Sequence, residues 1–286
     1  MKKKLHIAVQ KSGRLHDESL KLLNDCGISI DNGKDQLKAI ARNFPMEIFY
    51  LRNGDIPQYL RDGVVDIAII GENLLIEKGN DISIKENLGF SKCRVSIAIP
   101  KEGAYKGVES LTGKKIATSY PNTVKRFLAE KGIDAELHII NGSVEIAPNI
   151  GLSDAVCDIV SSGSTLFKNN LKEVEVLFES EAVLAASSTL GNEKNDVLKK
   201  LQFRIQSVLK GRQSKYILMN VPNESIDKIS SILPVLKSPT VLPLAEPGWS
   251  SLHSVVNEGT FWEVIDELKS AGAQDILVCP VEKMVL

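Results

Sequence analysis

Glu145–Leu166 reads EIAPNIGLSDAVCDIVSSGSTL. Inside it, Ala155 to Val160 has the apolar texture of a buried strand, interrupted by one acid, Asp158. The strand runs into a loop of small residues, Ser161-Ser162-Gly163-Ser164-Thr165. Hydroxyls and unobstructed backbone N–H groups in such a loop can surround a phosphate without side-chain clash. A carboxylate at the strand end suits ribose hydroxyls or a phosphate-bound magnesium ion. Strand, acid and loop together read as a pocket for a phosphoribosyl group. An isolated SSG reads more readily as a Ser/Gly turn that opens the next helix.

Upstream, Gly63 to Glu72 (GVVDIAIIGE) repeats the layout of Ala155 to Ser164: an apolar pair, Asp, an apolar strand, Gly. Chance produces such an echo, and so do two lobes of similar topology on either side of a cleft. Leu5 to Val9 is a short strand, followed by QKSGRL. A helix comes next, with Leu15, Ser19, Leu22, Leu23 and Cys26 near one face and Gly27 as its stop. The loop residues Lys11, Gly13 and Arg14 form either an anion cradle or an ordinary solvated loop. Met46 to Leu51 is a further strand leading into a turn at Arg52. Cys93 to Pro100, Lys115 to Ala117 and Leu137 to Ile140 are strand-like, and Asn122 is placed to cap a helix from Thr123 to Lys131. Strands alternating with helices predict α/β architecture with mainly parallel sheets.

Ala182 to Ser187 reads as a strand returning to the first lobe, and Val197 to Leu209 as a helix of that lobe. The expected organisation is a first lobe over 1–92 completed by about 181–210, and a second lobe over 93–180. From Gly211 to Leu286 the order β-α-β-β-α-β predicts a ferredoxin-like (ACT-like) module. Its second helix is expected to open on the capping-box spacing Thr260 to Glu263.

The 286 residues suit two or three domains, and a net charge of −1 argues against a general polyanion-binding surface such as one for nucleic acid. Cys26, Cys93, Cys157 and Cys279 form no CxxC pair and read as reduced thiols. The histidines are too scattered for a zinc site. The apolar run after the basic Met1–Lys4 is short for a signal peptide, and no segment has the length of a membrane span. A cytoplasmic protein with no membrane partner is expected.

The spacing of Glu145, Gly151, Ser153, Val156, Asp158, Ile159, Val160, Ser162, Gly163, Thr165 and Leu166 resembles the signature of the ATP phosphoribosyltransferase family, which performs the first step of histidine biosynthesis. The likeness runs from Gln10-Lys11-Ser12-Gly13-Arg14-Leu15 to Pro280-Val281-Glu282-Lys283-Met284. It implies transfer of a phosphoribosyl group from phosphoribosyl pyrophosphate to N1 of ATP, with Mg2+ on the pyrophosphate. It also implies two catalytic lobes like those of periplasmic solute-binding proteins, and a dimer in equilibrium with a hexamer. The C-terminal domain of the long form binds histidine as feedback inhibitor.

On that resemblance Ser161, Ser162, Gly163, Ser164 and Thr165 hold the ribose 5-phosphate, and Glu145 orients the loop or meets the sugar. Asp154 and Asp158, four apart on an extended segment, are expected to face the same way and meet ribose or metal. For Asp154 a turn role stands beside this one. Lys11, Gly13, Arg14 and Arg52 serve the phosphates of ATP or the pyrophosphate, the cations having surface ion pairs as their alternative. Glu72 and Tyr120 shape the adenine pocket, with a packing role open for Tyr120. For histidine the candidates are Asn220, Thr240 in the Ser238-Pro239-Thr240 turn, and Ala271 and Ala273 at a helix end, with an ordinary strand-entry turn and an ordinary helix stop standing beside these readings. No nucleophile–base pair of the hydrolase kind is present. Two non-catalytic readings compete: a two-lobed solute-binding protein, and a regulator that binds the same ligands without turnover.

Overall fold

The computed structural model describes residues 4–31, 36–79, 81–188, 190–233 and 238–285; Met1–Lys3, on which the targeting argument leans, and Leu286 lie outside them. The chain forms two compact units, Met1–Asn24 with Ile28–Leu198, and Asp25–Gly27 with Lys199–Leu286. The first begins with β1 (Leu5–Gln10), α1 (Arg14–Asp25), β2 (Lys38–Ile40), β3 (Met46–Leu51), α2 (Ile56–Arg61), β4 (Ile67–Gly71), α3 (Glu72–Lys78) and β5 (Ser83–Asn87). It continues through β6 (Cys93–Pro100), β7 (Lys115–Thr118), α4 (Pro121–Lys131), β8 (Glu136–Ile139), β9 (Ala155–Val160), α5 (Ser164–Lys168), β10 (Leu171–Ser180) and β11 (Ala182–Ala186). Helix α6 (Asn192–Arg212) follows, and the division between the units falls within it, earlier than the Lys210 expected from sequence.

Two sheets build the first unit. One has the order β2-β3-β1-β4-β11-β5, the other β10-β6-β9-β7-β8. They are mixed, where the sequence predicted mainly parallel pairing. Strand β1 is parallel to β3 and β4, and β7 to β8 and β9, but β11 runs against β4 and β5, and β6 against β9 and β10. The cause is the route of the chain. It leaves the first sheet at the end of β5, returns in β11, and enters each new sheet from the end where the other strands finish. Ala182 therefore pairs with Gly71, and Arg94 with Val160. This double crossing makes two lobes of the periplasmic-binding-protein kind, with every β–α loop of interest at the facing ends.

Each lobe has its own core. Ala8, Ala68, Ile70, Val183 and Ala185 pack with Ile56, Leu60, Leu74 and Leu75 in the first. Val95, Ile97, Ile116, Ala155 and Cys157 pack with Val124 and Leu128 in the second.

In the second unit, β12 (Ser214–Pro222), α7 (Ile226–Ile232), β13 (Thr240–Pro243), β14 (Trp249–Asn257), α8 (Glu258–Ser270) and β15 (Gln274–Pro280) give the β-α-β-β-α-β order read from sequence. The sheet order β13-β14-β12-β15 is antiparallel throughout. Ile217, Met219, Val221, Leu252 and Val256 turn one face onto Ile229, Leu233, Phe261 and Leu268. Helix α8 starts earlier than the Thr260 spacing suggested, because Asn257 is its cap: the Asn257 side-chain carbonyl accepts the Gly259 N–H at 2.9 Å.

Asp66 ends the turn into β4 and is 7% exposed. Its carboxylate accepts the His6 N–H at 2.8 Å and the Lys194 ammonium at 2.7 and 2.9 Å. Asp66→Ala should cost about 2–4 kcal/mol in urea unfolding, since a buried N–H and an ammonium lose their acceptor together.

Candidate active site

Strand β9 delivers the chain to the facing end of its lobe, where a cavity of about 250 Å³ is lined by Glu145, Asp158, Ser161, Ser162, Gly163, Ser164 and Thr165. Gly163 sits at φ +76° immediately before α5, a left-handed conformation that costs a residue with Cβ. A Cβ built there meets nothing within 4 Å, so the space over the loop is open. The Ser162 hydroxyl donates to Ser164 Oγ at 3.1 Å, and Phe167 N–H closes the first helical turn on Gly163 O at 3.0 Å. Ser161, Ser162, Ser164 and Thr165 are exposed. The first N–H groups of a helix lack intrahelical acceptors, so hydroxyls and amides here offer donors to an anion.

Asp158 faces this cavity from β9, and Glu145 from the turn over Val144–Ile150. Burial pushes the Asp158 carboxyl above its usual range; the Ile159 N–H, at 2.8 Å, pulls it back, and Glu145 raises it further. Two carboxylates facing one space favour a cation or hydroxyl donors between them.

Asp154 lies elsewhere. It precedes β9, lines a different cavity with Lys114, accepts the Lys115 N–H at 2.9 Å and stands 3.6 Å from the Lys114 ammonium. Four residues of strand separate it from Asp158 by about 13 Å. The two therefore line different cavities, and the bonds of Asp154 to the Lys115 N–H and Lys114 favour its turn role. Among the described residues no cluster of three or more His, Cys, Asp or Glu could hold a metal by itself.

The other lobe supplies cations. Strands β1 and β3 run side by side, with Gln10 opposite Leu51, so the loops carrying Lys11, Gly13 and Arg14 and carrying Arg52 emerge together. Arg14 Nη1 reaches Ser161 Oγ at 3.5 Å, while its Nε is 3.4 Å from Glu18. Lys11, Arg14 and Arg52 are exposed, and Gly13 takes φ +92°.

Where the chain crosses between lobes, Glu72, Lys92, Cys93, Arg94, Ser161, Glu179, Ser180 and Glu181 line a cavity of about 390 Å³, which shares Ser161 with the first. Arg94 was not foreseen. Its guanidinium clamps Glu173 at 2.5 Å and donates to Ser161 O at 3.3 Å, anchoring the Ser/Gly loop. Nothing local in SKCRV marks it, because its position depends on the antiparallel pairing of β6 with β9.

Tyr120 takes the packing role. It is 7% exposed, its hydroxyl accepts Asn73 Nδ2 at 2.7 Å, and burial with nearby Asp158 pushes its phenol upward. Its low exposure favours the packing alternative.

In the second unit Asn220 Nδ2 donates to Asp275 at 3.0 Å, and Thr240 is exposed at the start of edge strand β13, opposite His253. Ala271 and Ala273 are each 6% exposed and belong to the core. Their N–H groups close on Glu267 O and Leu268 O at 2.9 and 3.0 Å.

A family model described as ATP phosphoribosyltransferase matches residues 52–207, and a second, for the HisG C-terminal domain, matches 211–283. The ATP phosphoribosyltransferase of Cytophaga hutchinsonii is 55% identical over 281 residues, 98% of each chain. That of Parabacteroides distasonis is 51% identical over 99% of this chain and all of its own. Among solved structures, the ATP phosphoribosyl transferase (HisG:HisZ) complex from Thermotoga maritima superposes with a TM-score of 0.61 at 29% identity, over 71% of this chain and 98% of that one. With a basic loop and a Ser/Gly loop meeting across two crossed lobes, and with relatives of this identity along its whole length, the chain belongs to the ATP phosphoribosyltransferase family.

Proposed function

We propose that this protein transfers the 5-phosphoribosyl group of phosphoribosyl pyrophosphate to N1 of ATP and releases pyrophosphate, as the histidine-inhibited first step of histidine biosynthesis. The observation that carries this reading is the contact of Arg14 with Ser161, which joins a cationic loop of one lobe to the anion-cradling loop of the other. A reaction between two polyanions needs such a division. One lobe holds the 5-phosphate on Ser161–Thr165, and the other neutralises the phosphates of ATP with Lys11, Arg14 and Arg52.

Breaking the C1–pyrophosphate bond develops positive charge on the ribose. The Glu145 and Asp158 carboxylates lie where they can accept the ribose hydroxyls and stabilise that charge. Burial raises the Asp158 carboxyl above its usual range, so a hydroxyl donor or cation brought by substrate would favour its charged form. Both substrates held in line supply much of the remaining acceleration. Mg2+ ordinarily needs one or two carboxylates beside phosphate oxygens, and Glu145 with Asp158 fit that requirement without Asp154. Bound on the pyrophosphate, Mg2+ would act as a Lewis acid for its departure. Glu72, in the cavity at the crossings, is the residue of the first lobe left for the adenine side.

The second unit is proposed as the histidine-binding domain, with Asn220 and Thr240 remaining as candidates. Assembly into dimers and hexamers and a cytoplasmic location belong to the same proposal; no helix of the described residues is long and apolar enough to cross a membrane. Mixing the protein with ATP, phosphoribosyl pyrophosphate and Mg2+ should give pyrophosphate and the ultraviolet change of N1-substituted adenine. Absence of both products ends the catalytic reading.

Asp158→Asn should lower kcat/KM by about 10²–10³. Its raised folded-state pKa means that its stabilising contribution exists below the ordinary carboxylate value and is lost as pH rises. At pH 7 the Asn variant should therefore melt no lower than wild type, and wild type should gain on it as the pH falls through the carboxylate range.

Gly163→Val places a branched residue at φ +76°, at a cost of about 1–2 kcal/mol or more in local strain, and fills the open space above the loop. Calorimetric affinity for phosphoribosyl pyrophosphate should fall by at least about tenfold, equivalent to one lost charge-assisted contact. Gly163→Ala should fall less.

Thr240→Val keeps the shape of an exposed strand residue and removes its hydroxyl. Inhibition by histidine should need several-fold more ligand while kcat without histidine stays unchanged, because only one of two coupled sites is touched.

A further inference from the structure

Helix α4, at the facing end of the second lobe, has no side-chain cap of its own: its N-cap is Tyr120, whose phenol is turned to Asn73. Asn122, expected to cap a helix beginning at Thr123, is instead inside the first turn, because Pro121 already takes the first helical position. The cap comes from the other lobe. Glu77 of α3 is 5% exposed, and its carboxylate accepts the Asn122 N–H at 3.0 Å on one oxygen and the Thr123 N–H at 2.8 Å on the other. Asn122 Nδ2 returns a bond to Glu77 O at 3.1 Å, and Arg126 donates to Ile76 O at 3.0 Å. A buried negative charge on the positive end of a helix, with both oxygens bonded to amides, is a strong and directional fastening.

The same face of α3 is tied to a crossing. Ser180, the last residue of β10, accepts the Asn73 N–H at 2.9 Å and donates to Asn73 Oδ1 at 3.1 Å. A Cβ on Gly71 would stand 2.3 Å from that Asn73 oxygen, so glycine at the start of α3 permits the Asn73 side chain to fold back. The other crossing is tied as well: Ser91, at φ +49°, donates to Glu18 of α1. Helix α3 thus carries Glu72 at its first residue, in the cavity with Ser161, and Glu77 near its last, locked to the second lobe.

We infer that Glu77 is a positioning residue for the transfer reaction: by capping α4 from the opposite lobe it fixes the angle between the lobes, and so the approach of Glu72, Lys11 and Arg14 to the Ser161–Thr165 loop. The catalytic part of this inference rests on the proposed function, and the geometric part does not. Glu77 touches neither cavity. The groups proposed to bind phosphoribosyl pyrophosphate at the loop, Glu145, Asp158 and Ser161–Thr165, all lie in one lobe, so loosening the fastening leaves that binding intact while spoiling the two-lobe arrangement needed for turnover.

Glu77→Gln is the decisive variant, since its amide NH2 would face one of the two helix N–H groups it must accept. In the full-length protein, kcat should fall about tenfold, the loss of one charge-assisted hydrogen bond, while the calorimetric affinity for phosphoribosyl pyrophosphate stays within about twofold. Amide exchange should quicken at Asn122 and Thr123 and also at both crossings, 88–92 and 180–181, with β6 and β9 unchanged. Unchanged kcat, or affinity falling in step with kcat, overturns the positioning role. Faster exchange confined to α4 reduces Glu77 to a local cap and overturns it too. If Glu77→Gln does not fold, Asn122→Ala with Arg126→Ala removes two fastenings from the partly exposed side, and faster exchange at both crossings with β6 and β9 unchanged is required of it. A wild-type protein without turnover would refute the proposed reaction, yet the exchange measurement would still decide whether Glu77 sets the lobes.

Discussion

Strand β11, Ala182-Val183-Leu184-Ala185-Ala186, is buried along its whole length, each residue at most 1% exposed. It is hydrogen-bonded to β4 on one edge and to β5 on the other. Without it those edges would expose backbone groups inside a core, a cost that no surrounding side chain could offset. Because it arrives only after β10, the second lobe has to be an insertion between β5 and β11, and the chain must cross twice. The reversal of β6 and β11 against their neighbours follows from this route, and so does the gathering of loops at facing ends. Val183 and Ala185 meet Ala8, Ala68 and Ile70, so small residues in this strand let the first sheet close around it.

Two sheets facing each other permit a division of charge that one sheet would not. A chain of net charge −1 cannot bind polyanions through a general field, and here the cations leave the ends of β1 and β3 while hydroxyls, amides and two carboxylates gather at the end of β9. Had Arg14 and Asp158 shared one loop they would have paired with each other. Arg94 resolves the nearest conflict: it is neutralised by Glu173 in a bidentate pair, and a third N–H, on Nη1, donates to the carbonyl of Ser161. That arrangement holds the loop in place without adding free charge to it.

The features legible in sequence were those fixed by neighbours along the chain. The Ser/Gly loop, its preceding acid, the basic loop after β1 and the β-α-β-β-α-β order all stand in the structure, because strand-to-loop transitions and apolar periodicity are local. What depended on pairing across the fold was hidden. Arg94 gains its role from lying opposite Val160, and α4 gains its cap from Glu77, distant in sequence. Ala271 and Ala273 read as a helix end open to ligand, yet the register of β12 and α8 turns both into core. The alternation that grouped Asp154 with Asp158 was silent about the distance between them.

That misreading leads to the relation between the lobes. The sequence echo aligned Asp66 with Asp158, whereas the structure aligns Asp66 with Asp154. Each stands immediately before its lobe's central strand, and each accepts the N–H of the parallel neighbour one residue before the first paired position, His6 before the Ile7–Ile67 pair and Lys115 before the Ile116–Ala155 pair. Each also pairs with a lysine, Lys194 or Lys114. A parallel strand pair leaves an amide unpaired at that edge, and an aspartate in the preceding turn satisfies it in both lobes. With the lobes aligned this way, the counterpart of Asp158 is Ile70, fully buried in the first core. The lobes therefore share a device for starting a strand and differ where the strand ends: one finishes in an acid and a hydroxyl-rich loop, the other in apolar packing that leads into α3. The shared aspartates belong to the architecture, and Asp158, at the other end of its strand, has no acidic counterpart in the first lobe.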